Sequence, residues 1–471
     1  MEIASLKLQN HPILHDLELN FCDENGKPYK NIVFAGENGT GKTTLLELIN
    51  NIVGNMKSFI IGGITCNITI EFYLTYHEQI EVSRILNEDG IGHKKLVFRF
   101  VPSESGTEAG KYFYTFSKEE KQGVLGHKIE DFFRALYMSA EMSFKTKKIT
   151  TITSKGLDSV SHIPKRTNDE KASDLKQLFV DLPAKDAEDL QQWVLENPDV
   201  PPSADVIHKN TSRFSKAYNS MLGNITFRGA KTQKDERQVI FEKYGKIIYL
   251  EELSSGEKQI VFRGGELLKD KELLDGSVIL IDEPEISMHP RWQSKIFSYY
   301  SDLFKTETEQ KSQIFFATHS EHVVKDAMDK EAKIIVFTEI DEKTQQHTVN
   351  NKSVLSYGPT YAEIKYFAFN IPTIEFHDEL YGLIQEKNNC EKENQMEDFL
   401  KKNGIKQDKT WARLKDGVFF DPEPRTLMTY IRNFYHHPEA SKNEGNPLHP
   451  LELSDEEMRQ SIDCMISILR G

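Results

Sequence analysis

Gly36-Glu37-Asn38-Gly39-Thr40-Gly41-Lys42-Thr43 decides how this chain is read. It is a complete G-x-x-x-x-G-K-T, preceded by the apolar run Ile32-Val33-Phe34-Ala35 and followed by helical apolar spacing from Thr43 to Ile52. Strand, glycine-rich loop and helix, in that order, are the setting the pattern requires. Glycines let successive backbone N–H groups curl around a phosphate, and the helix start adds the positive end of its dipole. Lys42 is expected to reach the β- and γ-phosphates of ATP, and the Thr43 hydroxyl to ligate Mg²⁺. Residues Gly36 to Thr44 are therefore the candidate nucleotide cradle.

Working outward, Val278-Ile279-Leu280-Ile281 reads as a buried parallel strand that ends in Asp282 and Glu283. An apolar strand ending in two carboxylates is common, but downstream of such a loop it gains meaning. Asp282 is expected to hold the magnesium, and Glu283 to polarise the attacking water as a general base. Between the two blocks, Leu253-Ser254-Ser255-Gly256-Glu257-Lys258-Gln259 opens a helix. Its hydroxyls and helix-start N–H groups make a second anion site from Ser254, Ser255, Gly256 and Glu257; an ordinary capped helix is the plainer alternative. Ile314 to Ser320 is a further buried strand, with His319 at its end, placed to contact a γ-phosphate. Leu136 to Glu141 reads as a strand with Glu141 at its tip, a candidate magnesium-sensing residue.

Composition narrows the classes. The chain has 471 residues and a formal charge of −14, which argues against a surface that coats nucleic acid throughout. From Met142 to Ile247 there are 18 Lys/Arg against 14 Asp/Glu, which leaves −18 for the remainder. That stretch is either a local basic face or a solvated helical surface of mixed charge. Four cysteines without C-x-x-C spacing suggest neither disulfides nor zinc. No apolar run is long enough for a membrane span, and a cytoplasmic protein is expected.

The order of these blocks, with Glu283-Pro284-Glu285-Ile286-Ser287-Met288-His289-Pro290 after the carboxylate strand, resembles the soluble ABC-type ATPases of bacterial defence. These are the OLD family, the anticodon-nuclease ATPases and the PtuA family of Septu and retron-linked systems. The last is also resembled through Arg432-Asn433-Phe434-Tyr435-His436-His437-Pro438-Glu439. Ser255 stands where transporters more often carry glycine. The resemblance implies an α/β fold: an ABC-type P-loop ATPase head with a small antiparallel β subdomain, a helical insertion and a helical C-terminal module. The corresponding spans are 1–144, 145–224, 225–360 and 361–471. It also implies that Ser254 serves the ATP of a second copy in a head-to-tail dimer or higher oligomer, and that the partner is a separately encoded HNH nuclease. Nucleic acid is then met through the complex, and no membrane is involved.

Two other functions stay open. Arg432 and His437 match the short Arg-polar-x-x-x-His pattern of HEPN ribonucleases, whereas the plainer reading has them closing a helix end before Pro438. A DNA-repair ATPase with a long coiled coil ranks last, because the insertion has no sustained heptads.

Overall fold

The structure is a computed structural model that describes residues 1–470. Its exceptions are 55–65, 89–90, 103–110, 117–118, 123–132, 154–156, 158–167, 272–273, 306–308, 341–342, 350–353 and 356–359. Part of the expected insertion therefore lies outside the described residues, as does Asn350, the last residue of the hairpin that the sequence predicts over Lys333 to Thr338 and Gln346 to Asn350. The chain divides into two compact units, Met1–Thr348 and Val349–Gly471.

The first unit is built on a six-stranded sheet whose central members are parallel. Strand Asn31–Gly36 lies beside Gln313–Thr318, which lies beside Val278–Asp282, which in turn pairs with Ala135–Met138. Their apolar runs are buried throughout, as strands covered on both faces require. In register, Thr318 pairs with Ala35 and Asp282 with Ala317, so the three strands end level with one another. Whatever follows each strand converges at one sheet edge, where open α/β sheets bind ligands.

A second, antiparallel sheet of six strands includes Glu2–His11, Asn67–Tyr73 and Lys95–Val101. Ile68, Ile70 and Phe72 are buried while their neighbours are half-buried, the period-two pattern of a sheet with one face on the core. Within the insertion, helix Asn168–Glu196 is longer than the Ala172–Glu196 stretch expected from spacing. With helix Lys209–Leu222 it packs on the three-stranded sheet Ile225–Gln233, Glu236–Lys243, Lys246–Tyr249. Phe179, Phe214, Tyr218, Phe227 and Phe241 fill that interface with tilted and edge-on ring contacts.

Strands Lys333–Ile340 and Lys343–Val349 lie side by side as a hairpin, and the first of them also pairs in parallel with Asn31–Gly36. The C-terminal module is mainly helical and also carries two short ribbons. Lys409–Trp411 pairs with Glu423–Arg425, and Leu414–Lys415 with Val418–Phe419. The latter ribbon turns on Asp416-Gly417, both at positive φ, as a tight two-residue hairpin demands. Helices Ile374–Lys387, Leu427–His436 and Asp455–Arg470 enclose this unit's own core around Phe376, Leu380, Ile431 and Ile462.

Candidate active site

Gly36, at φ +140°, closes its strand against the backbone of Phe337; a Cβ there would lie 2.2 Å from the Phe337 carbonyl oxygen. Glycine is therefore obligatory before the loop bends. The loop leads into helix Lys42–Gly54, and the Lys42 ammonium folds back to donate to the Gly36 carbonyl at 2.9 Å and the Glu37 carbonyl at 2.6 Å. Burial pushes the Lys42 pKa down, against the opposing pull of Glu283, Asp282 and Glu285.

Asp282 lies across from this helix start. Thr43 Oγ1 donates to its Oδ1 at 3.2 Å, and the Tyr137 hydroxyl donates to its Oδ2 at 3.2 Å. Burial raises the Asp282 pKa, so the carboxylate sits at a depth that a nearby cation would favour. A hydroxyl and a carboxylate side by side are hard oxygen donors suited to Mg²⁺, which keeps few protein ligands and shares phosphate oxygens. Among the described residues no three of His, Cys, Asp and Glu gather into a metal cage of their own.

Glu283 follows at φ +41°, uncommon for a residue with a side chain, while its N–H donates to the Ala317 carbonyl. His319 Nδ1 lies 3.3 Å from its Oε1 and 3.7 Å from Glu285 Oε1. The hydrogen bond to His319 holds Glu283 below its ordinary 4.5, and the same bond lifts His319 above 6.5. A raised histidine contributes its pairing energy below its ordinary pKa and loses it as pH rises through the raised value. A lowered carboxylate contributes above its ordinary pKa and loses it on acidification. The pair thus holds from about pH 4.5 upward and dissolves somewhere above 6.5. In nucleotide-free protein, NMR titration of the His319 imidazole should give a midpoint above 6.5, and Glu283→Gln should lower it. An unchanged midpoint in that variant would disprove the pairing.

Helix Ser255–Lys269 starts with a capping box: the Ser254 N–H donates to Glu257 Oε2 at 2.8 Å, and Glu257 N–H donates back to Ser254 Oγ. Lys243 Nζ holds the other Glu257 oxygen at 2.7 Å. Gly256 is buried against the Ser287 carbonyl, 2.9 Å from where a Cβ would stand, so this helix start abuts the loop after Glu283. Ser254 and Ser255 remain exposed.

Glu141 is not among the side chains gathered at Asp282. The strand ends three residues earlier, at Met138, and Glu141 is exposed with its carbonyl accepting from Ser139 and Asn168. The residue of this strand that reaches Asp282 is instead Tyr137, an interior strand position that the alternation of Leu136 and Met138 could have flagged. Arg263 was also missed. Wholly buried, it donates to Gln259, to the Asp282 carbonyl and to the carbonyls of Ser139 and Ala140, tying helix Ser255–Lys269 to the strand ends. No motif surrounds it.

In the second unit, helix Leu427–His436 closes before His437. Arg432 lies over the Tyr381 ring at 5.7 Å and donates to Asn433. His436, one helical turn on and so on the same face, has Nε2 2.6 Å from Asp378 Oδ2. His437 instead contacts Glu439 and lines a cavity of about 610 Å³ with Trp411, Arg413 and Phe420. Arg432 and His437 thus have different partners within this unit.

A family model described as "AAA domain, putative AbiEii toxin, Type IV TA system" matches residues 32–325. The Septu protein PtuA of Bacillus thuringiensis is 24% identical over 339 residues, covering 69% of this chain and 73% of PtuA. Among solved structures, an Smc head bound to the C-winged helix domain of ScpA is similar at TM-score 0.43 and 13% identity, covering 74% of this chain and 98% of that one. The SMC head domain from Thermotoga maritima is similar at TM-score 0.38 and 12% identity, covering 74% and 100%.

Proposed function

The chain belongs to the AAA domain family whose model spans residues 32–325, and from this premise we propose that it is the regulatory ATPase of a bacterial anti-phage system. On this reading it associates with further copies through shared ATP sites and governs a separately encoded HNH-type nuclease in the cytoplasm. The likeness to PtuA over 339 residues supports the defence role. The observation that carries the ATPase chemistry is the convergence of Lys42, Thr43, Asp282, Glu283 and His319 at three level strand ends.

Each side chain has a task there. Lys42 offers a partly desolvated ammonium to the β- and γ-phosphates, where its charge acts with little screening. Thr43 and Asp282 would hold Mg²⁺, which supplies charge neutralisation between the phosphates. Glu283 orients the attacking water and accepts its proton. His319, now against Glu283, is positioned to turn to the γ-phosphate and so release that carboxylate. The exposed Ser254 and Ser255 offer hydroxyls and helix-start N–H groups to the ATP of a second copy.

The second unit is read as the nuclease-docking module. Its core is its own, and it begins at Val349; a cut at 361 or later would leave Leu355 behind, and one at 372 would also separate Tyr366 from Phe376. Deleting 349–471 should abolish nuclease pull-down and phage protection while leaving ATP affinity within about twofold, since its core is separate. With Arg432 engaged by Tyr381 and His437 lining a cavity with Trp411 and Arg413, the purified chain should cut neither RNA nor DNA. RNA cleavage by the isolated chain, lost in His437→Ala, would replace this reading with the ribonuclease one.

A further inference from the structure

Glu285 has no part in the steps above, yet it is one of the most deeply buried carboxylates among the described residues, 2% exposed. Burying a carboxylate is costly unless hydrogen bonds repay the lost water. Glu285 Oε1 accepts from Thr318 Oγ1 and from the His319 backbone N–H at 3.2 Å, while its Oε2 has no hydrogen-bond partner among the described residues. A neutral side chain of similar size would fill the space more cheaply, so fold stability alone does not account for the acid.

What the acid does is join two loops. Glu285 lies two residues after Glu283, and its partners are the residues that carry and precede His319. The junction is reinforced on its far side: Ser320 Oγ donates to Gln293 Oε1 at 2.7 Å, and Gln293 Nε2 donates to the Met288 carbonyl at 3.0 Å. Thr318 Oγ1 in turn accepts from Ser320 N–H. The loop after Asp282 and the loop after Thr318 are therefore pinned at two points, with His319 between them and 3.3 Å from Glu283.

We propose that Glu285 is a positioning residue for hydrolysis, fixing the backbone of His319 so that its imidazole can pass between Glu283 and the γ-phosphate. The proposal rests on the roles given to Glu283 and His319. With the anchor in place, only the side chain of His319 need move during the exchange. Without it, the loop carrying the histidine is free to drift, and small misplacements of a positioned group cost rate far more than affinity.

A double-mutant cycle with steady-state kinetics tests this in the full chain. Glu285→Ala should lower kcat by at least about tenfold, with the affinity for a fluorescent ATP analogue within about twofold, because the acid is spent on Thr318 and the His319 backbone rather than on the Lys42 loop. Glu285→Gln, which keeps the acceptor oxygen, should recover at least about a third of the parent rate. In the His319→Ala background, Glu285→Ala should cost less than about twofold more, the non-additivity of residues acting through one another. Additive losses, or parent-like kcat in Glu285→Ala, would overturn the proposal. Should Glu285→Ala fail to bind the analogue, the same cycle with Glu285→Asp, which withdraws the carboxylate by one methylene, decides by the same criterion. Full turnover in both His319→Ala and Glu283→Gln would instead remove the underlying site reading, an outcome distinct from additivity.

Discussion

Glu283→Gln should bind ATP as tightly as the parent chain and hydrolyse it about 10²–10⁴-fold more slowly, the usual contribution of a positioned general base. The amide has the shape of the carboxylate, and the strand that carries it is buried and paired on both sides, so folding is not at issue. What is lost is the capacity to take a proton from water. Lys42→Ala should behave differently. Its ammonium is buried against the Gly36 and Glu37 carbonyls, where phosphate oxygens would otherwise compete for it. Removing that charge should weaken ATP binding itself and reduce kcat/KM by about 10²–10³-fold. Equilibrium binding of a fluorescent ATP analogue, together with phosphate-release kinetics, separates the two outcomes. Parent-like turnover in Glu283→Gln would remove Glu283 from its role.

The second large effect concerns two copies of the chain. Lys42→Ala and Ser254→Arg should each be inactive alone, yet mixing them should restore about a quarter of the parent ATPase rate. In a symmetric dimer, random pairing puts one chain of each kind in half of the dimers, and each such dimer has one intact composite site. Loss of the Ser254 cap costs only about 1 kcal/mol, small beside the stability of a domain, so Ser254→Arg should still fold. Exposure of Ser254 and Ser255 at the helix start is what allows a second chain to reach them. Pull-down through a tag on one variant shows whether the oligomers are mixed. No recovery in mixed oligomers would count against the shared site.

How much of this was legible depended on how local the information is. Gly36 to Thr43 and Val278 to Glu283 are contiguous, their chemistry is set by backbone shape and strand ends, and the structure brings them together at Asp282. Tyr137 escaped because its contact with Asp282 spans 145 residues, and Arg263 because its acceptors are mostly backbone carbonyls, some more than a hundred residues away; neither leaves a periodic trace. Glu285 was visible only as part of a resemblance; its partner Thr318 is 33 residues away, at the end of strand Gln313–Thr318. The ribbons of the second unit are a different matter. Lys415-Asp416-Gly417-Val418 carries the Asp-Gly signal of a hairpin turn, but the surrounding helical spacing dominated the reading. Glu141 illustrates the opposite error, a strand extended three residues too far because Ser139 and Ala140 do not look like a break.

The backbone at Glu283, held at φ +41°, bears on how this enzyme could be altered. Holding a side-chain-bearing residue there costs on the order of 1 kcal/mol, a burden that glycine would not carry. A search for heat-resistant variants that scored melting temperature alone would therefore be drawn to position 283 and would discard the carboxylate proposed to activate the attacking water. Thermal robustness and turnover pull in opposite directions at this one residue.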